Sequence, residues 1–192
     1  MAGPSGSRRR QRSEDPASAS CWRTVSARGT LSVLPSKLDD VATSLSEAGQ
    51  GMLLRWSDAF GGVPVALDRL VVDPRDPHGR TVFDHPHVHY TVDMVATVFR
   101  PVPGMLLTGR VVAAAQTHIG VLVAGVFNAA VVAAQMEGCR WTPPEAWVHG
   151  TGADGRKVGI GALVRVAVLR VHEVEGIISI DAKVDGLVEA AE

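Results

Sequence analysis

From residue 103 onward the chain alternates short apolar runs with glycine-marked breaks. Met105 to Ala115 and Ile119 to Val126 are rich in β-branched residues, and Gln116-Thr117-His118 supplies a polar turn between them. This pattern predicts two paired strands, with a third following at once over Asn128 to Ala134. Gly104, Gly109, Gly120 and Gly125 fall where a strand must bend or another backbone must come close. After Met136 the pattern loosens, and Pro143-Pro144 together with the glycines from Gly150 to Gly155 predict a loop without regular structure. Two further apolar runs, Val158 to Val174 and Gly176 to Val184, flank a hairpin at His172-Glu173-Val174-Glu175-Gly176.

Upstream, TVSARGTLSVL predicts a strand from Arg23 to Leu34 that Pro35 ends. Ser36 then stands at an N-cap position, with Leu38, Val41, Ala42 and Leu45 at helical spacing and Gly49 placed to close the C-terminus. Strands are predicted over Met52 to Trp56, Val63 to Val72 and His87 to Phe99, broken by Gly61-Gly62 and by the turn-rich DPRDPHGR. The fold class expected is an α+β N-terminal domain followed by an all-β, five-stranded OB-fold barrel. Expected boundaries are a polar tail over 1–22, the α+β domain over 23–100, the barrel over 101–185 and an acidic end over 186–192.

Composition narrows the function classes. The chain has 192 residues, 46% of them hydrophobic, enough for a substantial core. Formal net charge is -1, and the N-terminal tail holds Arg8, Arg9, Arg10 and Arg12 against only Glu14 and Asp15. The remainder is therefore net acidic, so any nucleic-acid contact it makes must be a local patch. Arg8-Arg9-Arg10-Gln11-Arg12 has the composition of a nuclear import signal, of a phosphate contact, or of a solvated tail. Cys21 and Cys139 lack disulfide-framework or zinc spacing. No apolar run reaches the roughly 18 to 20 residues of a membrane span, so no membrane partner is expected.

At this point a family resemblance enters. Thr117-His118-Ile119-Gly120-Val121-Leu122-Val123, followed by Gly125-Val126-Phe127-Asn128-Ala129, resembles the start of the OB domain in the large stalk subunit of eukaryotic DNA-directed RNA polymerase I. That family reads close to S-H-I-G-x-L-V-x-G-x-F-N-A-S-I in this region. Met52-Leu53-Leu54-Arg55-Trp56-Ser57 and Gly62-Val63-Pro64-Val65-Ala66 are similar to its LLRYS and GVxLAY segments. Val98-Phe99-Arg100-Pro101-Val102-Pro103-Gly104 resembles its junction into the OB domain. The resemblance implies a non-catalytic polymerase subunit of the nucleus and nucleolus, serving ribosomal RNA synthesis. It implies docking on the polymerase core subunits through the N-terminal domain, a smaller stalk partner subunit, and OB-domain contact with the initiation factor and nascent single-stranded RNA. Alternatives are a polymerase II or III stalk subunit, whose family residues differ at His118 and Phe127-Asn128-Ala129, and a free-standing RNA-binding OB protein.

No catalytic residues and no cofactor are expected, since no GxSxG elbow, P-loop or GxGxxG motif is present. Were the strand to include residues 85–89, His85, His87 and His89 would share one of its faces, a spacing that suits Zn or Ni. They lack a local carboxylate or thiolate, so no metal site is expected. OB domains hold single strands by stacking bases on aromatic rings within a basic groove. His118 and Phe127 are the stacking candidates here, with Arg110, Arg165, Arg170 and Lys183 as phosphate partners. Phe127 equally suits core packing, given its apolar neighbours. Trp141 and Trp147 fall in the Pro/Gly-rich stretch, where large aromatics anchor a loop or meet a protein partner.

Overall fold

The computed structural model describes residues 20–83, 85–143, 146–149 and 156–187. Most of the expected tail, over 1–22, and the end of the chain past 187 lie outside the described residues.

A first sheet is built from β1 (Trp22–Val33), β2 (Val63–Val72), the two-residue β3 (Arg80–Thr81) and β4 (Val88–Phe99). β4 is central, antiparallel to β1 on one side and to β2 on the other. On one face Leu31, Val33, Tyr90, Val92, Met94, Ala96 and Val98 pack with Leu45 of α1 (Val41–Gln50). This strict alternation is what a sheet buried on one side requires. Only one α-helix covers it.

Local readings around this helix need correcting. Ser36 is not the cap: Pro35–Asp40 form a 3-10 turn, and the Asp40 side chain accepts the Thr43 N–H at 3.1 Å. Gly49 does not close the helix, which ends at Gln50 with Gly51 as its C-cap. Gly49 is buried, and a Cβ there would lie 2.7 Å from Leu67 Cδ2, so its role is close approach of helix to sheet. Met52 to Trp56 is no strand. The Met52 and Leu53 amides continue the helix end as turns, Leu54 takes φ 61°, and the Trp56 N–H donates to Gly176 O at 2.6 Å. Its apolar side chains mimic a strand, but its backbone donors are spent on scattered partners.

The second unit is a closed barrel in the order β11-β12-β7-β6-β5, made of β5 (Leu106–Ala114), β6 (His118–Val123), β7 (Phe127–Val132), β11 (Leu163–Val174) and β12 (Ile177–Leu187). β12 runs parallel to β7, and every other pair is antiparallel, which is the OB arrangement. The β11–β12 hairpin turns at Glu175 and Gly176, both at positive φ, as a two-residue type I′ turn demands.

The described residues between 137 and 158 depart from expectation; Pro144 and Gly150 to Gly155 lie outside the described residues. β8 (Cys139–Thr142), β9 (Ala146–His149) and β10 (Arg156–Val158) form a three-stranded antiparallel sheet. Pro143 sits in a turn, not within a strand, and elements of three or four residues are too short to show a period.

The two sheets' cores meet. Val63 and Phe99, both fully buried, belong to the barrel core, and Phe99 stacks on Phe127 with ring centroids 4.0 Å apart and planes 10° apart.

Within the barrel, Gly109 and Gly120 play different parts. A Cβ on Gly109 would lie 2.5 Å from Val121 Cγ1 and 2.8 Å from the Leu122 carbonyl oxygen, whereas one on Gly120 meets nothing closer than Ala113 Cβ at 3.4 Å. Gly109→Ala is expected to lower stability by about 1–3 kcal/mol through overpacking against backbone. Gly120→Ala should stay within about 0.5 kcal/mol of the parent. Urea unfolding of both variants checks the contrast.

Candidate nucleic-acid interface

Alternation along the barrel strands sorts each candidate side chain. On β5, β6 and β7 the inward set is Leu107, Val111, Ile119, Val121, Val123, Phe127, Ala129 and Val131, all buried. The outward set includes Arg110, His118, Leu122, Asn128, Ala130 and Val132. Phe127 is therefore withdrawn as a stacking residue: it is 5% exposed and its ring face is taken by Phe99.

Cross-strand register brings the outward residues into two groups. Arg110 stands beside Leu122, which stands beside Asn128. Arg165 is nearby on β11, opposite Thr108. Neither arginine is idle: Arg110 donates to Gly161 O at 3.0 Å, and Arg165 Nε pairs with Asp185 Oδ2 at 2.6 Å.

The second group surrounds a cavity of about 280 Å³ between β7, β11 and β12, with Val132, Gln135, Leu169, Arg170 and Asp181 among its lining. His118 lies directly across from Val132, and Arg170 directly across from Asp181. Asp181 is held by the His172 ring at 2.7 Å. Arg170 has no ion pair among the described residues. Arg165 and Arg170 stand five positions apart on β11, about 16 Å of strand. Lys183 is half-buried on β12, across from Ala167.

The aromatic supply is decisive for what this face can do. The chain has nine aromatic residues, and none of them projects from the outer face of β5, β6 and β7. Bases have no indole, phenol or phenyl platform there, only the exposed imidazole of His118, whose Nδ1 meets Thr117 Oγ1 at 2.9 Å. The face offers cations of which Arg110 is held by a carbonyl and Arg165 by a carboxylate.

The tryptophans also find internal roles. Trp147 is 6% exposed and donates from Nε1 to Ala115 O at 2.9 Å. Trp141, directly opposite it on β8, packs edge-on at 5.6 Å. Trp147 thus anchors the three-stranded sheet to the barrel and is not a free interface residue; Trp141 remains half-exposed above it.

The histidine segment gives no metal geometry: among the described residues no group of three His, Cys, Asp or Glu side chains could hold an ion. His89 Nδ1 is bound to Ser32 Oγ at 2.9 Å, and its ring meets that of His85 edge-on at 6.1 Å.

Sequence reasoning missed Leu169, Gln135 and Asp181 beside Arg170, because the β11 bulge between Val168 and Arg170 turns two consecutive residues outward.

Part of this barrel has known counterparts. The family described as the RPA43 OB domain in RNA Pol I matches residues 101–157, a span that holds β5, β6, β7, β8, β9 and the start of β10. The DNA-directed RNA polymerase I subunit RPA43 of Danio rerio is 33% identical over 113 residues, covering 59% of this chain and 28% of that protein. The Mus musculus subunit of the same name is 33% identical over 112 residues, 58% of this chain and 33% of its own length. That of Schizosaccharomyces pombe is 27% identical over 101 residues, 53% of this chain and 57% of its own. The chain thus spans about a third or less of the two vertebrate relatives. Residues 101–157 match the model of the RPA43 OB domain, and the chain is similar over 101 to 113 residues to proteins named as the RPA43 subunit of RNA polymerase I.

Proposed function

We propose that this chain is a non-catalytic stalk subunit of DNA-directed RNA polymerase I. Residues 23–100 dock on the polymerase core, and the OB barrel projects for contact with the initiation factor. The observation that carries this reading is the RPA43-type OB domain, in a chain whose relatives bear the name of a polymerase I subunit. Nucleotidyl transfer then belongs to other subunits, and this chain contributes binding surface in the nucleus and nucleolus, next to a smaller stalk partner. Nascent RNA contact, where it occurs, rests on Arg170, His118 and Lys183 through charge and hydrogen bonding, since the outer face lacks aromatic platforms.

Affinity purification of the tagged chain from its own cells tests this. The two large polymerase I subunits should co-purify in near-stoichiometric yield. Recovery of polymerase II or III subunits would move the chain to another stalk, and recovery of RNA without polymerase would favour a free-standing OB protein.

A further inference from the structure

The barrel closes through β12 and β7 at only two register pairs, Ile180 with Ala129 and Asp181 with Ala130. Past these pairs the two strands leave the ladder, and β7 gives way to the 3-10 turn Ala133–Gln135. The facing backbone edges are then no longer joined to each other, and a cleft opens in the barrel wall. On its far side the β11 bulge turns Leu169 outward beside Arg170. This is the cavity of about 280 Å³ described above.

Two kinds of surface meet in it. Val132 and Leu169, 51% and 41% exposed, bring apolar area. Gln135, Arg170 and Asp181 bring hydrogen-bonding groups. Asp181 accepts from the His172 ring through Oδ2, and its Oδ1 has no hydrogen-bond partner among the described residues. Arg170, directly across from Asp181, makes no ion pair among them. Charge does not select the ligand, because one guanidinium stands beside one carboxylate. The site offers instead a donor next to an acceptor, an amide that is both, and two apolar flanks.

We propose that this cleft receives one nucleobase of a single-stranded RNA. A base has flat faces to lay against Val132 and Leu169, and an edge of donors and acceptors for Asp181, Arg170 and Gln135. The volume lies just under the roughly 300–1,000 Å³ of pockets that enclose a drug-sized ligand, so a single ring system suits it. His118, exposed and directly across from Val132, stands beside the cleft for a neighbouring base. An extended peptide fits less well, because it needs several residues of open strand edge and β7 ends at Val132. The inference rests on the nascent-RNA contact proposed above and adds that a base is bound as well as the backbone.

The test uses the purified full chain and a fluorescent single-stranded RNA oligomer of mixed sequence, compared by anisotropy with its abasic counterpart, which keeps the backbone and lacks the bases. The base-bearing oligomer should bind about tenfold more tightly. Gln135→Ala changes no charge; it should remove most of that difference and leave binding of the abasic oligomer unchanged. Lys157→Ala on β10 should keep the parent's ratio. A thermal melt by circular dichroism checks that Gln135→Ala is folded, and the ratio for the parent tests the cleft without any variant. A benzophenone side chain placed at residue 169 of the tagged chain should capture RNA on irradiation in its own cells. Equal affinity of the parent for both oligomers, or the parent's ratio in folded Gln135→Ala, would overturn the inference and leave a backbone-only RNA contact standing. Capture of protein without RNA at residue 169 would overturn it in favour of a peptide site. Failure of the parent to bind either oligomer would remove the cleft and the RNA contact together, while the polymerase assignment keeps its own test.

Discussion

Phe99→Ala is expected to destabilise the protein by about 3–5 kcal/mol, the range for emptying a fully buried aromatic site. Phe99 is the last residue of β4, so its backbone belongs to the first sheet, while its fully buried ring lies in the barrel core against Phe127. Trp22, the first residue of β1 and its register partner, packs on the ring at a tilt, with centroids 5.0 Å apart and planes at 49°. Truncation would leave a void lined by the Phe127 ring face and the tilted Trp22 indole, which are carried on different sheets. The stacking itself adds about 0.5–1.5 kcal/mol beyond area burial. Chemical denaturation followed by tryptophan fluorescence and by far-UV circular dichroism measures this. The cross-unit packing further predicts that the parent shows coincident transitions by both probes, and that Phe99→Ala separates them. A loss below about 1 kcal/mol would mean that the ring is not wedged between two cores as described.

This junction marks where sequence reading stops. The strands of the barrel are legible because each has one buried face, so period-two alternation survives in Leu107-Gly109-Val111, Ile119-Val121-Val123 and Phe127-Ala129-Val131. The same alternation places Arg110 and His118 outward. That Phe127 points inward follows from alternation too, but its partner Phe99 stands 28 positions away on another sheet, and no local pattern announces that pairing.

Bulges account for a second class of error. On β11 the register shifts between Arg165 and Val166 and again between Val168 and Arg170, so the outward residues no longer recur at every second position. Arg165 and Arg170 are both exposed as expected, yet what they meet depends on the shift. Arg165 finds Asp185, while Arg170 opens onto the cavity beside Leu169. Composition misled around β8, β9 and β10 for the opposite reason. Proline marks the turn at Pro143, but a turn also separates very short strands, and here tryptophan pairing and burial of Val158 make those strands form.

Trp147 supplies the sharper test of that small sheet. Were it a partner anchor, Trp147→Ala would weaken an assembly and leave the isolated chain's stability unchanged. The structure gives the reverse expectation. The indole is buried, its N–H satisfies the Ala115 carbonyl at the end of β5, and its ring braces Trp141 across the β8–β9 pair. Trp147→Ala should therefore cost about 3–5 kcal/mol of unfolding free energy, with loss of the order in β8 and β9 that depends on it. Trp147→Phe separates the two contributions: it keeps much of the apolar area and deletes the donor, leaving the Ala115 carbonyl unpaired by the ring. A loss of about 1–3 kcal/mol is expected for that variant. Hydrogen exchange of the β8 and β9 amides provides the local readout, and both variants should show faster exchange there than in β6 and β7. Full stability in Trp147→Ala would detach the small sheet from the barrel and return Trp147 to the surface as an interface residue.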